Sequence, residues 1–379
     1  MKTKHLKPKY IIIISIAVVM LLLNVIARLS PTFSDFYVQN IFPIISLPLM
    51  YFSGLFPFSL GELFVIICVA IVLLGVPTLI AIFCIRKKHT KLFKKAGTFA
   101  LDLVLWILIF IFTTETLNCF IMYQCSTFSS RYFKETEHTE ELLIETLSDV
   151  SNRVGELYDN FPRDEQGYII LEDSFADDCV LAMKKASTTY SQLSGYYPKP
   201  KAIMNSFFMS QEGIIGLYIP FTMEATYNND IQPISKPSTL CHELAHLKGI
   251  IQEDEANFVS MVACFGAESN FVRYSGYLDA LYYLYADAKK LMGTEYEADF
   301  IEAISCVPAI VWTQDIASFT ADYWEKNEEK EILPTETVQA VSEALTDATL
   351  QLNGVEDGIM SYYRVVELLM DYKAAGNII

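Results

Sequence analysis

The run Cys241-His-Glu-Leu-Ala-His246 constrains the fold of this 379-residue chain more than any other stretch. On an α-helix, His242 and His246 lie about 40° apart around the axis and one turn apart in height, so both imidazoles can reach one metal ion. Glu243 points to the side of the same face, which suits a base acting on water rather than a ligand. The spacing therefore predicts a helix that carries two ligands for Zn2+ and a carboxylate beside them.

A third protein ligand and one open position for water complete a catalytic zinc site. Glu253 begins a predicted helix whose antiparallel return, after a glycine, would bring its first turn beside the histidines. Asn257, on the same helix face, is predicted to accept the outer ring N–H of His242 and to fix its tautomer. Glu295 and Glu255 are the alternative ligands, and Glu295 begins a similar Glu-x-x-x-Asp pattern.

The residues around the motif predict the neighbouring elements. Ser238 and Thr239 are predicted to cap the helix at its N-terminus, and Gly249 to end it. Upstream, residues 201–210 and 214–222 are rich in apolar and aromatic side chains and are separated by a short turn that contains glycine. This arrangement predicts a β-hairpin before the metal-binding helix.

The second of these strands bears on substrate binding. Pro220 cannot donate to a β-ladder, so it predicts a strand end or a sheet edge. An exposed edge strand could pair with an extended peptide substrate, and an internal strand is the alternative. Glu224 and Asn228 follow at helical spacing and are candidates for lining the cleft.

Beyond about residue 130 the chain reads as one folded domain that is mostly helical. Apolar residues recur at helical spacing in 135–158 and again in 175–193. Together with the hairpin, this predicts the α+β class, in which N-terminal transmembrane helices precede a mostly helical domain with a small β-sheet.

The first third of the chain contains most of the excess apolar residues, in a sequence that is 52% hydrophobic. Residues 10–29, 61–85 and 96–114 are each close to the about 20 apolar residues that cross a bilayer, so we interpret them as transmembrane helices. The segment 36–58 is apolar but contains three prolines, which favours an interfacial or re-entrant segment over a fourth span. Residues 1–116 are thus predicted to be a membrane anchor, with the lipid bilayer as a partner.

Basic residues predict the orientation of these helices, because cytoplasmic loops collect Lys and Arg. Four lysines precede the first span and six basic residues lie in 86–95, whereas 31–60 contain none. The N-terminus is therefore predicted to be cytoplasmic and residues 117–379 extracytoplasmic, in a multi-pass protein of the cell membrane. The first span lacks a small-x-small cleavage site, which favours an uncleaved anchor over a signal peptide.

Charge separates the two parts of the chain. Residues 1–116 hold 11 basic and 4 acidic residues, a net charge of +7, and residues 117–379 hold 17 and 41, a net charge of −24. A domain so acidic is not expected to bind nucleic acid. The eight cysteines include no Cys-x-x-Cys pair, which argues against a thiolate zinc cluster and favours buried free thiols.

With these features the chain resembles the gluzincin clan of metallopeptidases, whose His-Glu-x-x-His pattern is followed by a glutamate ligand on a later helix. More closely, it resembles the bacterial membrane family called domain of unknown function 3810. The runs that carry the resemblance are Cys241–Phe258 and, more softly, 57–62, 216–225, 274–278 and 358–366. The resemblance implies a zincin-like fold and a peptidase that acts on a peptide or protein. Asn257 stands where many members of the clan carry aspartate.

The expected function is thus a membrane-anchored zinc peptidase in which Glu243 is the general base and acid. The oxyanion of peptide hydrolysis needs a positive or hydrogen-bonding group. The candidates for that role are Tyr274, Tyr277, Tyr362 and Arg364. The alternatives are a catalytically inactive zinc-fold sensor or scaffold, and a metal-stabilised structural domain of a membrane complex.

Overall fold

The fold is described from a computed structural model for residues 6–84, 90–377 and 379. The chain divides into two compact units. The first contains Met1–Cys125 and the short segment Ile219–Met223, and the second contains Ser126–Tyr218 and Glu224–Ile379. The chain therefore leaves the second unit for five residues and then returns to it.

Helices dominate the first unit. Its described α-helices are α1 (Pro8–Leu29), α2 (Pro31–Phe36), α3 (Phe42–Gly54), α4 (Leu60–Cys84) and α5 (Thr90–Glu115). One π-helical turn joins α2 to α3, and another extends α5.

Three of the described helices are long and apolar enough to cross a membrane. They are Pro8–Leu29, Leu60–Cys84 and Thr90–Gln124. They overlap the three predicted spans, although the third begins six residues earlier than predicted, and the basic residues at 86–88 lie outside the described part of the chain. The predicted interfacial segment 36–58 is helical over most of its length, with Pro48 inside α3, and is not one of the three.

Polar side chains tie the helices of the first unit to the end of α5. Asn24 of α1 donates to the Thr116 hydroxyl over 2.9 Å. Tyr37, in the turn after α2, donates its hydroxyl proton to the Leu117 carbonyl over 2.7 Å. Such bonds hold helices together where the surroundings offer few other polar partners.

The second unit is mostly helical with a small three-stranded sheet, as the sequence predicts. Its described α-helices are α6 (Phe128–Tyr132), α7 (Glu140–Leu157), α8 (Phe175–Ala186), α9 (Ser206–Gln211), α10 (Lys236–His246), α11 (Glu253–Phe265), α12 (Asn270–Ala288), α13 (Glu297–Ile304), α14 (Ala321–Asn327), α15 (Thr335–Leu352) and α16 (Val365–Ala374). The predicted helix 135–158 corresponds to α7. The predicted helix 175–193 is shorter than expected, because α8 ends at Ala186 and only a 3-10 turn follows at Ser191–Leu193.

The sheet has the order β1 (Lys201–Ile203), β3 (Glu224–Asn228), β2 (Gly216–Ile219), so β2 is an edge strand. β1 and β3 are parallel. β2 and β3 run in opposite directions, because Asn228 N–H donates to Ile215 O and the Thr226 hydroxyl donates to Leu217 O. β2 ends immediately before Pro220, as that residue predicts.

The predicted hairpin of 201–210 with 214–222 is wrong. β1 ends at Ile203, and the Ser206 hydroxyl donates to the Ile203 carbonyl over 2.7 Å at the start of α9. Short apolar runs do not distinguish a strand from a buried helix by periodicity alone. The strand that does turn back on β2 is β3, so Glu224 and Asn228 lie on a strand rather than at helical spacing.

Helix α10 lies in the core of the second unit, against α11 and α12. Small hydroxyl residues hold the three helices together. The Ser238 N–H donates to the Ser275 hydroxyl over 2.9 Å, and the Ser260 hydroxyl donates to the Ser238 carbonyl over 2.6 Å. The predicted N-cap at Ser238 and Thr239 is therefore wrong, because α10 begins two residues earlier, at Lys236.

Candidate metal centre

Two consecutive helices present three ligand atoms to one point. His242 and His246 lie on α10, and Glu253 is the first residue of α11. Glu253 Oε2 lies 3.1 Å from His242 Nε2 and 3.7 Å from His246 Nε2. One ligand atom from each residue lies within 4.8 Å of the other two, a separation that one ion can bridge.

The connection between α10 and α11 makes this approach possible. Gly249 has a φ of 80°, in the left-handed region that favours glycine, and its N–H donates to the His246 carbonyl over 3.0 Å. The chain reverses there, as the sequence predicts, and six residues separate the two helices. The reversal brings the first turn of α11 back to the histidines.

Both imidazoles are oriented through their outer nitrogen. His242 Nδ1 lies 2.8 Å from Asn257 Oδ1, and His246 Nδ1 lies 2.6 Å from the Ile250 carbonyl. Each of these oxygens accepts an N–H, so Nδ1 carries the proton and Nε2 keeps its lone pair for a metal. The structure places Asn257 where the sequence predicts it, and its amide also donates to the Tyr283 hydroxyl over 3.2 Å.

Burial and charge act in opposite directions on the three ligands. Burial lowers the pKa of His246 to about 4, which keeps that imidazole neutral at physiological pH. Burial also opposes the charge on His242, but the Glu253 carboxylate raises the pKa of His242 to about 9. Burial would raise the pKa of Glu253, yet the two histidines hold it below its ordinary value. A metal ion at His242 Nε2 would take the place of the proton that the Glu253 carboxylate favours there in the absence of a metal.

Glu243 lies beside the ligands in a space shaped by β2. Its side chain is buried, and the Tyr218 N–H donates to its carboxylate. A Cβ on Gly216 would collide with Glu243 Oε1 and lie 2.6 Å from Thr239 Cγ2, so the strand needs glycine there. Burial raises the pKa of Glu243 to about 8, and the Glu253 carboxylate adds to the effect.

The hydrogen bonding of the second carboxylate oxygen of Glu243 indicates whether this site suits a metal ion. Within the described part of the chain, Glu243 Oε2 is buried and has no hydrogen-bond partner. A buried carboxylate oxygen without a donor is costly unless a ligand supplies one. Two imidazole nitrogens and one carboxylate oxygen are the donor set of catalytic zinc sites. The residues therefore fit Zn2+, which His242, His246 and Glu253 would hold.

Of the predicted oxyanion donors, Tyr362 and Arg364 lie close to α11. The Tyr362 hydroxyl donates to the Glu253 carboxylate. Arg364 Nε donates to Asp254 Oδ2 over 2.8 Å, and its guanidinium also meets Asp357 at 3.2 Å. The Arg364 side chain therefore pairs with two carboxylates, whereas Tyr362 contacts a candidate ligand.

Tyr274 and Tyr277 have other surroundings than the sequence predicts. Tyr274 is fully buried and donates its hydroxyl proton to Asp315 over 2.8 Å, and Arg163 binds the same carboxylate through two bonds of 2.7 Å. Tyr277 stacks on Phe265 with ring centroids 4.5 Å apart. The prediction of a catalytic role for Tyr274 is therefore corrected, because its hydroxyl belongs to a buried ion-pair cluster.

The alternative ligands are also elsewhere. Glu295 is exposed. Glu255 faces away from the histidines and accepts from Ser129, over 2.9 Å from its N–H and 2.5 Å from its hydroxyl.

The two residues proposed to line the cleft are also engaged. Glu224 is buried in an ion pair with Lys201. Asn228 donates to Ser210 and to the Ile214 carbonyl. Both side chains are therefore held by other residues of the second unit.

Several residues at the site were not predicted. Gly216 and Tyr218 shape the space around Glu243, and Tyr283 supports Asn257. Asp279 lies close enough to His242 for their charges to interact, and burial raises its pKa to about 6. A glycine inside a strand often indicates the close approach of another group. Of these residues, Gly216 is therefore the one that the sequence could have indicated.

Comparison with known proteins gives a family. The profile of the family described as "Protein of unknown function (DUF3810)" matches residues 37–370. The chain belongs to this family. Searches of curated proteins and of solved structures found no match. The match includes parts of both units, all three candidate ligands and Glu243.

Proposed function

We propose that the protein is a membrane-anchored zinc-dependent peptidase with a zincin-like second unit. The observation that carries the proposal is the buried Oε2 of Glu243, which lacks a donor among the residues that the structure describes and lies beside two oriented imidazoles and a carboxylate. A structural metal site needs no such base, because its ligands close the coordination sphere.

Glu243 moves the protons in the proposed reaction. When bound, Zn2+ supplies a Lewis acid that polarises the peptide carbonyl and makes water acidic enough to react near neutral pH. Glu243 takes a proton from the attacking water through Oε2, while the Tyr218 N–H holds the carboxylate. The same carboxyl group then delivers the proton to the leaving amine.

The neighbouring residues suit the binding of a peptide. β2 is an edge strand of the sheet, and an extended peptide can add to such an edge through backbone hydrogen bonds. Gly216 and Tyr218 of β2 border Glu243, so a peptide on this strand would pass the base. Tyr362 is the oxyanion donor that we favour over Arg364, and its O–H, which meets Glu253 in this structure, would turn to the substrate for that role.

The first unit supports the location in a membrane. Three apolar helices of sufficient length and the basic residues around them favour a multi-pass protein with a cytoplasmic N-terminus. On this topology the second unit and its substrate are extracytoplasmic.

Glu243→Gln in the full-length protein tests the function. The variant keeps its size but cannot take a proton, so we expect peptide hydrolysis to fall by about 10²- to 10⁴-fold. Zinc stoichiometry should stay at the wild-type value, and Glu295→Gln, at an exposed position, serves as the matched control. Hydrolysis that persists in the Glu243 variant would contradict the proposal, and a wild-type protein that binds zinc without hydrolysing peptides would favour a binding module.

A further inference from the structure

The turn Ile219–Met223, which begins at the last residue of β2 and leads to β3, belongs to the first unit, whereas Tyr218 and Glu224 on either side belong to the second. Met223 in this turn has a φ of 53° and is fully buried. It is the one described residue other than glycine with a positive φ. That conformation is unfavourable for a residue with a side chain and persists only where the surroundings hold it.

Residues of the first unit hold the turn. Asn118 donates from its side-chain amide to the Pro220 carbonyl over 2.7 Å. The ring of Phe221 lies 5.1 Å from the ring of Phe64, centroid to centroid. Ile219 packs directly on Gly61, where an added Cβ would lie 2.5 Å from Ile219 Cδ1 and 2.7 Å from Cγ2. Gly61 is therefore a position of close approach rather than one of backbone freedom.

The residue that precedes this turn belongs to the candidate metal centre. Tyr218 donates its N–H to Glu243, and its ring lies 5.7 Å from the ring of His246, centroid to centroid. Tyr218 and Ile219 are consecutive, so their Cα atoms are about 3.8 Å apart. A shift of Ile219 therefore has only one peptide unit over which it could be absorbed before it displaces the N–H that holds Glu243.

We propose that Gly61 and Asn118 of the membrane-helix unit are positioning residues for the active site. By fixing the turn Ile219–Met223, they fix β2 and the Tyr218 N–H that orients Glu243. The consequence for catalysis rests on the proposed function, whereas the consequence for β2 does not. The apolar helices would then contribute to the geometry of the reaction as well as to anchoring.

Two substitutions in the full-length protein test the proposal. Gly61→Ala forces Ile219 to move, and Asn118→Ala removes the donor to Pro220. We expect each to lower kcat on the order of tenfold or more, with KM and zinc stoichiometry unchanged, because a displacement of about 1 Å at a catalytic group has effects of this size. The double variant Gly61→Ala/Ile219→Ala removes the colliding atoms and should recover most of the kcat lost in Gly61→Ala.

A second measurement does not depend on hydrolysis. Amide exchange of residues 214–224, followed by mass spectrometry, reports on the Tyr218 N–H. We expect exchange to be faster in both variants and at the wild-type rate in Tyr37→Phe. That control loses a bond of the same 2.7 Å length to the Leu117 carbonyl, next to Asn118 in the chain.

The two measurements separate the failure of this proposal from failure of the proposed function. If exchange in 214–224 is unchanged in both variants, the positioning role is overturned, whatever the activity. Loss of zinc, or exchange that rises equally throughout α10 and α11, would also overturn it, because the residues would then support the fold in general. If the wild type hydrolyses no peptide but exchange rises as expected, the positioning role stands and the peptidase assignment fails.

Discussion

At the scale of single residues, the hydrogen bond between Asn257 and His242 is expected to contribute to zinc affinity. Its Oδ1 accepts the outer N–H of His242 and so fixes the tautomer in which Nε2 can bind a metal. We expect Asn257→Leu to weaken zinc binding by about 10- to 100-fold, as removal of such partners does. Zinc titration against a competing chelator measures the effect. Asn257→Asp keeps the acceptor and should bind at least as tightly as the wild type, and an equal loss in both variants would contradict this account.

Gly216 offers a steric test of the space around Glu243. A Cβ at this position would collide with Glu243 Oε1, so Gly216→Ala must displace the carboxylate or the strand. We expect kcat for peptide hydrolysis to fall by about 10- to 100-fold while zinc stoichiometry is unchanged. Gly266→Ala is the control, since a Cβ there would meet only ordinary contacts of 3.7 Å or more. If Gly216→Ala has the kcat of the wild type, the Glu243 carboxylate can move without loss of activity and this account is wrong.

The sequence predicted His242, His246, Glu253 and Asn257 together because their spacing along two helices is a local property. Tyr274 was misplaced for the opposite reason. Its surroundings are set by Arg163 and Asp315, which are distant in the chain. No local sequence pattern predicts a contact between residues so far apart. Tyrosine suits a catalytic role or a buried hydrogen bond equally well.

At the scale of elements, the metal is expected to join α10 to α11. Because a ligand that binds the folded chain stabilises it, zinc at 100 times its dissociation constant should add about 2.7 kcal/mol to the free energy of unfolding. We therefore expect a chelator to lower the thermal unfolding midpoint of the purified protein and added Zn2+ to restore it. His246→Ala should show neither effect. If the chelator leaves the unfolding midpoint of the zinc-loaded wild type unchanged, the result would count against a metal between these helices.

The cluster of Arg163, Asp315 and Tyr274 is expected to stabilise the second unit. Asp315 is buried, and its removal would leave the Arg163 guanidinium without its carboxylate. We expect Asp315→Ala to lower the free energy of unfolding by about 3 to 5 kcal/mol. Chemical denaturation measures this loss. Asp287→Ala, in an exposed pair with Lys290, should cost less than about 1 kcal/mol, and similar losses in the two variants would refute the assignment.

The wrong hairpin shows where sequence patterns fail for elements. Residues 206–211 carry apolar and aromatic side chains that fit a strand, yet they form α9 once the Ser206 hydroxyl bonds the Ile203 carbonyl. The choice depends on which partner the strand finds, and β1 pairs with β3 more than 20 residues later. The long helices were predictable because their periodic apolar faces extend over several turns.

At the scale of the whole molecule, the topology can be tested with tags at the two termini. If the N-terminus is cytoplasmic, a protease added to intact cells should remove a C-terminal tag and leave an N-terminal tag. Immunoblotting reads the outcome, and lysed cells, in which both tags should disappear, serve as the control. Digestion of the N-terminal tag in intact cells would reverse the proposed orientation.

All three candidate ligands fall within twelve consecutive residues, His242–Glu253, across one short connection. Closing so small a loop costs little entropy compared with joining donors from distant parts of a chain. We therefore expect ion capture to be a local event, available to a nascent polypeptide as soon as this stretch has emerged. The acquired metal would then template the helical pair before the later segments arrive.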